Sequence, residues 1–234
     1  MKNVSVCMAT YNGEKYIGRQ LRSILNQLSL DDEVIISDDH STDRTKEIVE
    51  SFDDNRIVFV ENTEKRGPIG NFENALKLST KEYIFLSDQD DVWLPNKVST
   101  VVSLLEKFDL ILSDCTVVDK DLNELYPSYF SLRRSHNGIL RNIYKNSYMG
   151  CCIAFRSSVL TYALPFPTNI HMHDWWLGLI TEIKGTVFFY ESPLILYVRH
   201  GENVSPTGET SHGWFSKISN RITLVFSLLT RVIS

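Results

Sequence analysis

Over its first 120 residues the chain alternates short β-branched and apolar runs with longer stretches in which apolar residues recur every three or four positions. That alternation is the imprint of strand–helix–strand units, because parallel strands need a helical crossover between them. It predicts an α/β fold with a mostly parallel central sheet flanked by helices. Val4 to Met8 reads as a buried strand and Tyr11-Asn12-Gly13 as a turn, while Ile17, Leu21, Ile24, Leu25 and Leu28 mark one face of a helix reaching about Ser29. Further strands are expected at Val34 to Ser37, Ile57 to Val60, Tyr83 to Leu86 and Leu110 to Ser113. Helices open at Thr42-Asp43-Arg44-Thr45, after Arg66-Gly67-Pro68, and at Pro95. With 234 residues, 43% hydrophobic and 23% charged, the chain has material for a sizeable core, and disorder and coiled coil are excluded. A formal net charge of -5 argues against a protein built to grip nucleic-acid phosphates.

The second half is less regular. Lys120 to Asn137 is rich in Tyr, Phe, Ser and Arg and too long for a simple connector, so it is expected to be a mobile lid or substrate loop. Met149 to Phe155 reads as a strand, His173 to Ile183 as a helix, and Thr186 to Tyr190 and Leu194 to Val198 as two strands. Cys7, Cys115, Cys151 and Cys152 lack metal-site spacing and sit in apolar surroundings, as buried thiols of a reducing compartment do. The N-terminus breaks at Tyr11-Asn12-Gly13 before an apolar leader develops, and no apolar run approaches the roughly 18 residues of a membrane span. The expected location is cytoplasmic.

In an open parallel sheet, ligands bind beyond the carboxyl ends of the strands. Thr10-Tyr11-Asn12, Asp38-Asp39 and Asp88-Gln89-Asp90-Asp91 all fall at such ends. Each alone is compatible with a solvated turn; together they converge on one crevice. The last cluster places three carboxylates straight after an apolar strand, where they repel one another unless a cation or solvent compensates. Magnesium or manganese is the natural partner, bound by one or two carboxylates with remaining ligands from water and a substrate's phosphates. An N-cap role in the following helix accounts for one of the three.

Val4 to Gly13, Ile36 to Asp43 and Asp88-Gln89-Asp90-Asp91-Val92-Trp93 resemble the signature of the family 2 inverting glycosyltransferases of the GT-A fold. His173-Asp174-Trp175-Trp176 and Leu196 to Ser205 resemble the branch that assembles bacterial surface polysaccharides, including rhamnosyl- and glucosyltransferases. The resemblance implies a nucleotide-sugar-binding half over residues 1–119, an acceptor and catalytic-base half over 120–212, and a separate C-terminal helix over 213–234. It implies donor contacts from Thr10, Tyr11, Asn12, Glu14, Asp38, Asp39, Arg66, Asp88, Gln89 and Arg199. By the same resemblance Asp88 and Asp90 fill the D-x-D motif, with Mn2+ or Mg2+ held by Asp90, Asp91 and His200. Asp174 falls where the family places its catalytic base, and His173, Trp175 and Trp176 where the acceptor is contacted. The family frequently has Glu where this chain has His173, which leaves the base intact and alters the acceptor pair. The implied partners are a nucleotide sugar, UDP- or dTDP-linked, and a lipid-linked oligosaccharide at the inner face of the cytoplasmic membrane.

Two other classes compete. Nucleotidyl transfer needs a Gly-rich triphosphate loop after the first strand, and Thr10-Tyr11-Asn12-Gly13 has one Gly. A catalytically silent binding subunit has no need of the base at Asp174. From Trp214 to Ser234, Phe215, Ile218, Ile222, Val225, Phe226 and Leu229 form an apolar face beside Lys217, Arg221 and Arg231, with no acid. That pattern fits a helix lying on an anionic membrane, or one packed on its own domain or on a second subunit of a homodimer.

Overall fold

The computed structural model describes residues 3–200 and 214–233. The first half follows the expected alternation: β1 (Val4–Thr10), α1 (Ile17–Leu25), β2 (Glu33–Asp38), α2 (Thr45–Glu50), β3 (Ile57–Glu61), α3 (Pro68–Leu78) and β4 (Tyr83–Asp88). The apolar runs of β1, β2 and β4 are buried on both faces, as strands inside a covered parallel sheet must be. Helix α1 buries Ile17, Leu21, Ile24 and Leu25, the stripe its spacing predicts. Pro68 starts α3 with its φ already set, and Gly70 in the first turn passes so close to the Lys65 carbonyl that any Cβ there collides with it.

The chain continues through β5 (Val92–Trp93), α4 (Lys97–Leu105), β6 (Leu110–Asp119), β7 (Glu124–Tyr126), α5 (Tyr129–Arg133) and α6 (Ile139–Tyr144). It ends in β8 (Ile153–Arg156), α7 (Leu160–Ala163), α8 (His173–Lys184), β9 (Val187–Arg199) and α9 (Trp214–Ile233). Among the described residues the strands form one sheet in the order β3-β2-β1-β4-β8-β6-β9-β5, with β7 on β6. The run β3-β2-β1-β4 and the pair β6–β9 are parallel, and β8 is inserted antiparallel between β4 and β6. The core lies between this sheet and α1, α3, α4 and α8.

Three expectations for the second half are corrected. Residues 120–137 are not a free lid: they form β7 and α5, pinned where Asp114 accepts from the Ser128 hydroxyl and, at 2.9 Å, from the Phe130 amide. The two strands expected after residue 185 are one, β9, which runs through Pro193 where its register with β6 shifts on either side of Asp114, an irregularity of the kind that tolerates a proline. The strand expected from Met149 begins at Ile153, preceded by a 3-10 turn over Gly150–Cys152. The tail is a helix as expected, and of its two readings the packed one describes its arginines, which face the protein. Arg221 donates to the Tyr144 carbonyl at 2.6 Å and Arg231 to the Tyr162, Leu164 and Pro165 carbonyls at 2.6–3.1 Å. These are the orphan carbonyls at the carboxyl ends of α6 and α7. Leu224 and Leu228 bury the docked face, while Ile222, Phe226 and Leu229 point outward. The Gly201 to Ser205 motif, the proposed boundary near 212 and the Trp214, Phe215 and Lys217 side chains lie outside the described residues. No helix among the described residues is long and apolar enough to cross a membrane. All four cysteines are buried free thiols.

Candidate active site

The carboxyl ends of β1, β2 and β4 meet at one edge, with Thr10 in register with Asp38 and Ala9 with Asp88. Thr10 Oγ1 donates to Asp38 Oδ1 at 2.9 Å, and the Ser41 amide and hydroxyl donate to Asp38 at 2.7 and 2.6 Å. Asp39 accepts from Asn62 Nδ2 and from the Gly67 amide, both at 2.8 Å, and so holds the loop that carries exposed Arg66. Asn12, at φ 48°, donates its amide to the Ser41 hydroxyl oxygen and accepts from the Thr42 amide at Oδ1. Glu14 accepts from the Arg44 amide. Gln89 pairs reciprocally with the Tyr11 backbone, at 2.9 and 3.0 Å, and leaves the Tyr11 ring exposed. That pairing needs Gly13, since a Cβ there would collide with the Gln89 carboxamide. The expected donor residues are thus brought to one edge, mostly as a frame that fixes its loops; Arg199 stands exposed at the end of β9.

The acidic cluster owes its shape to β5, an element the sequence did not betray. Strand β4 ends at Asp88, β5 starts at Val92 and pairs with Ile195 and Leu196 of β9, so Gln89-Asp90-Asp91 is held taut between two parts of the sheet. The same pairing delivers the end of β9 to the cluster. His200 Nε2 lies 2.8 Å from Asp90 Oδ2, its ring stacked on Tyr16, and Arg19 Nη2 donates to the Asp90 carbonyl. Asp91 turns inward: Oδ1 accepts from the Val198 amide at 3.1 Å, while buried Oδ2 has no hydrogen-bond donor at ordinary distance. Its neighbours are the Cys151 thiol and the Lys97 ammonium. Lys97 is buried over the Trp93 ring at 4.9 Å, and burial lowers its pKa. It is an internal cation that sequence reasoning missed, since on the helix after Pro95 it reads as a surface lysine.

Asp174 sits in the first turn of α8 and approaches Asp88 across the edge. Burial raises its pKa to about 7, against the backbone amides of Trp175 and Gly150 that stabilise the anion. Asp88 is pushed up to about 8, first by burial and then by Asp90 and Asp174. Tyr129 of α5, another residue not anticipated, lies near enough to Asp174 to feel its charge. Asp90 and His200, 2.8 Å apart, together with Asp88 offer carboxylate and imidazole donors, the chemistry that a divalent cation such as manganese takes. Among the described residues the grouping that brings three ligand atoms within 4.8 Å of one another is Asp88, Asp91 and Cys151, but the hydrogen bond with Cys152, burial and the nearby carboxylates hold the Cys151 thiol protonated, which suits a hard ion poorly.

His173, Trp175 and Trp176, which flank the base's position, belong to the frame. Trp176 is fully buried and donates to the Ala163 carbonyl; Trp175 donates to the Asn142 carbonyl under Arg221. The His173 ring stacks on Phe72 at 4.3 Å, and burial lowers its pKa to about 3, so it is neutral. Burial of this degree leaves no sugar platform on either tryptophan.

The glycosyl transferase family 2 profile matches residues 5–162. Among curated relatives, the chain is 28% identical over 177 residues to an Escherichia coli protein, the UDP-Glc:alpha-D-GlcNAc-diphosphoundecaprenol beta-1,3-glucosyltransferase WfgD, covering 75% of this chain and 68% of that one. It is 28% identical over 214 residues to the dTDP-rhamnosyl transferase RfbG of Shigella flexneri, covering 84% and 72%. Among solved structures, TarS of S. aureus in complex with UDP-GlcNAc superposes with a TM-score of 0.73 at 20% identity, over 97% of this chain and 67% of that one. That likeness is to a GT-A fold, and the chain spans about two thirds of the solved protein. With the profile covering most of the sheet and all of the acidic cluster, the chain belongs to glycosyl transferase family 2.

Proposed function

We propose that this chain transfers a hexose, with inversion, from a UDP- or dTDP-linked sugar to a lipid-linked oligosaccharide in bacterial surface-polysaccharide synthesis, working at the inner face of the cytoplasmic membrane. The observation that carries it is Asp174, a buried carboxylate with a pKa near neutrality, close to the Asp88 end of the acidic cluster. A general base works best when its pKa is near the working pH, and an acceptor hydroxyl is a poor nucleophile until its proton has somewhere to go. In this reading Asp174 takes that proton as the oxygen attacks the anomeric carbon, and the bond from that carbon to the diphosphate breaks on the opposite face. Asp90 and His200 would hold Mn2+ or Mg2+, with Asp88 alongside; when bound, the ion neutralises charge on the departing diphosphate. Arg66 and Arg199, both exposed, are free to meet the donor's phosphates. The UDP- and dTDP-sugar relatives and the diphosphoundecaprenol acceptor in one relative's name support the substrate classes.

Asp174→Asn tests the reading. The variant should bind UDP or dTDP as tightly as the parent in a calorimetric titration with manganese, and lose transfer by about a thousandfold. An active variant removes the base assignment. A parent protein that binds nucleoside diphosphates but transfers from no nucleotide sugar is a silent binding subunit instead.

A further inference from the structure

Between Glu124 and Asp174 the chain carries no Asp or Glu, although its overall balance is -5. That stretch holds α5 and α6 and contributes Arg133, Arg134, Arg141 and Lys145, none of which forms an ion pair with a described carboxylate. Two of them bond to backbone instead: Arg141 Nη2 donates to the Arg134 carbonyl at 2.8 Å and Lys145 Nζ to the Arg133 carbonyl at 2.6 Å. The cations crowd one another, and the Lys145 ammonium is held below its ordinary value by packing and then by the three arginines. Beside them stand bare apolar side chains, Leu140 at 83% and Tyr144 at 77% exposed, one turn apart on α6. Arg221 joins the Tyr144 carbonyl to α9, which also lacks acids. The outer side of α9 carries Ile218, Ile222, Phe226, Leu229 and Ile233 at helical spacing, all exposed. One flank therefore combines same-sign charge without counter-ions and apolar side chains without cover.

We propose that the flank built by α5, α6 and α9 docks this chain on an anionic lipid bilayer, with Arg134, Arg141 and Lys145 at the headgroups and Leu140, Tyr144 and Phe226 entering the acyl boundary. Clustered cations gain attraction to an anionic leaflet, and adjacent apolar side chains gain burial in it. A two-fold contact with a second copy sets this patch against itself, where the cations repel. The place suits the substrate: Tyr129 of the same α5 reaches the neighbourhood of Asp174, so a docked flank sets the base close to the bilayer. Arg221 and Arg231 of the tail donate to carbonyls inside the protein, so among the described residues the exposed charge of this flank comes from the α5–α6 segment. The inference rests on the lipid-linked acceptor proposed above.

The test is flotation of the full chain with phosphatidylcholine vesicles, with and without phosphatidylglycerol, over a salt series. Parallel transfer assays use an acceptor diphosphate on a short, water-soluble chain. The parent should float only with the anionic vesicles and come off as salt rises. Arg134→Gln/Arg141→Gln/Lys145→Gln should lower partitioning by about a hundredfold, at about fivefold per cation. Ile222→Ser/Phe226→Ser should lower it at every salt concentration, and both variants should keep transfer to the soluble acceptor. Lys46→Gln on α2, where the lysine pairs with Glu50, is the control and should float like the parent. Parent protein that never floats, a triple variant that floats equally, or a dimer that Ile222→Ser/Phe226→Ser dissociates each overturns the docking surface. Transfer to the soluble acceptor reports separately on the proposed activity.

Discussion

At the ends of β1 and β2, polar side chains are satisfied by one another: Asp38 takes donors from Thr10 and Ser41, and Asp39 takes them from Asn62 and Gly67. A few residues away, around β4, β5 and α8, the same residue type is left in difficulty. Asp88 and Asp174 are held partly protonated by burial, Asp91 keeps an oxygen without a donor, and His173 Nε2 is likewise unpartnered. Each of these costs folding free energy, and perturbed groups gather where chemistry is done. The first region is a preformed frame whose carboxylates order loops. The second stores unfavourable electrostatics that a cation and substrate relieve.

The contrast breaks most visibly at Asp38. If it is frame, Asp38→Ala strands buried donors and costs about 3 kcal/mol in urea denaturation, while nucleotide affinity measured on the remaining folded protein holds. Unchanged stability with lost nucleotide binding makes Asp38 a ligand contact and erases the distinction. Asp90→Asn addresses the other side. It should weaken manganese-dependent binding of a nucleoside diphosphate by about a hundredfold, the scale of a metal–phosphate contact, and leave stability unchanged or improved, since one of the crowded carboxylates is gone. Equal affinity with and without manganese in the parent protein removes the metal from the reading.

How much of this was legible follows the range of the interactions. β1 to β4 and their helices were readable because period and punctuation are local, and the acidic cluster because three carboxylates after an apolar strand are anomalous in themselves. β5 was not, since two residues define it and Leu196, its partner, is over a hundred positions away. The direction of Arg221 and Arg231 was hidden for the same reason: a cation on an amphipathic helix looks alike whether it meets a headgroup or the carbonyl end of α6. Trp175 and Trp176 show a third limit, because adjacent aromatics on a helix suggest one inward and one outward ring, and α9 covers the outward one.

The pH dependence of stability sharpens the contrast further. The pKa of Asp174 is raised to about 7 in the folded protein, far above its unfolded value, so the folded state favours the protonated acid. That preference is fully present below the unfolded pKa and lost as pH rises through about 7. Asp174→Asn never ionises, so it should match the parent in denaturation at pH 4 and exceed it at pH 8 by on the order of 2 kcal/mol. Transfer by the parent should rise over the same window, because the anion is the base. A stability difference that does not grow with pH places the Asp174 carboxylate in an environment no more costly than that of Asp38.

The smallest expected effect concerns the outer layer of the second region. Arg221 closes the carboxyl end of α6 through two bonds to the Tyr144 carbonyl, and its guanidinium lies 5.8 Å from the Trp175 ring centre. Arg221→Ala removes both, at a cost of about 1 kcal/mol, because the carbonyl is near solvent and water replaces the lost donor. Trp175 is the residue next to the base, so looser cover over its ring should also raise hydrogen exchange at the α8 amino end, while exchange in β1 and β2 stays as it was. Faster exchange in both regions would mean that α9 stabilises the whole domain evenly and that the two sides of the edge are not separate mechanical units.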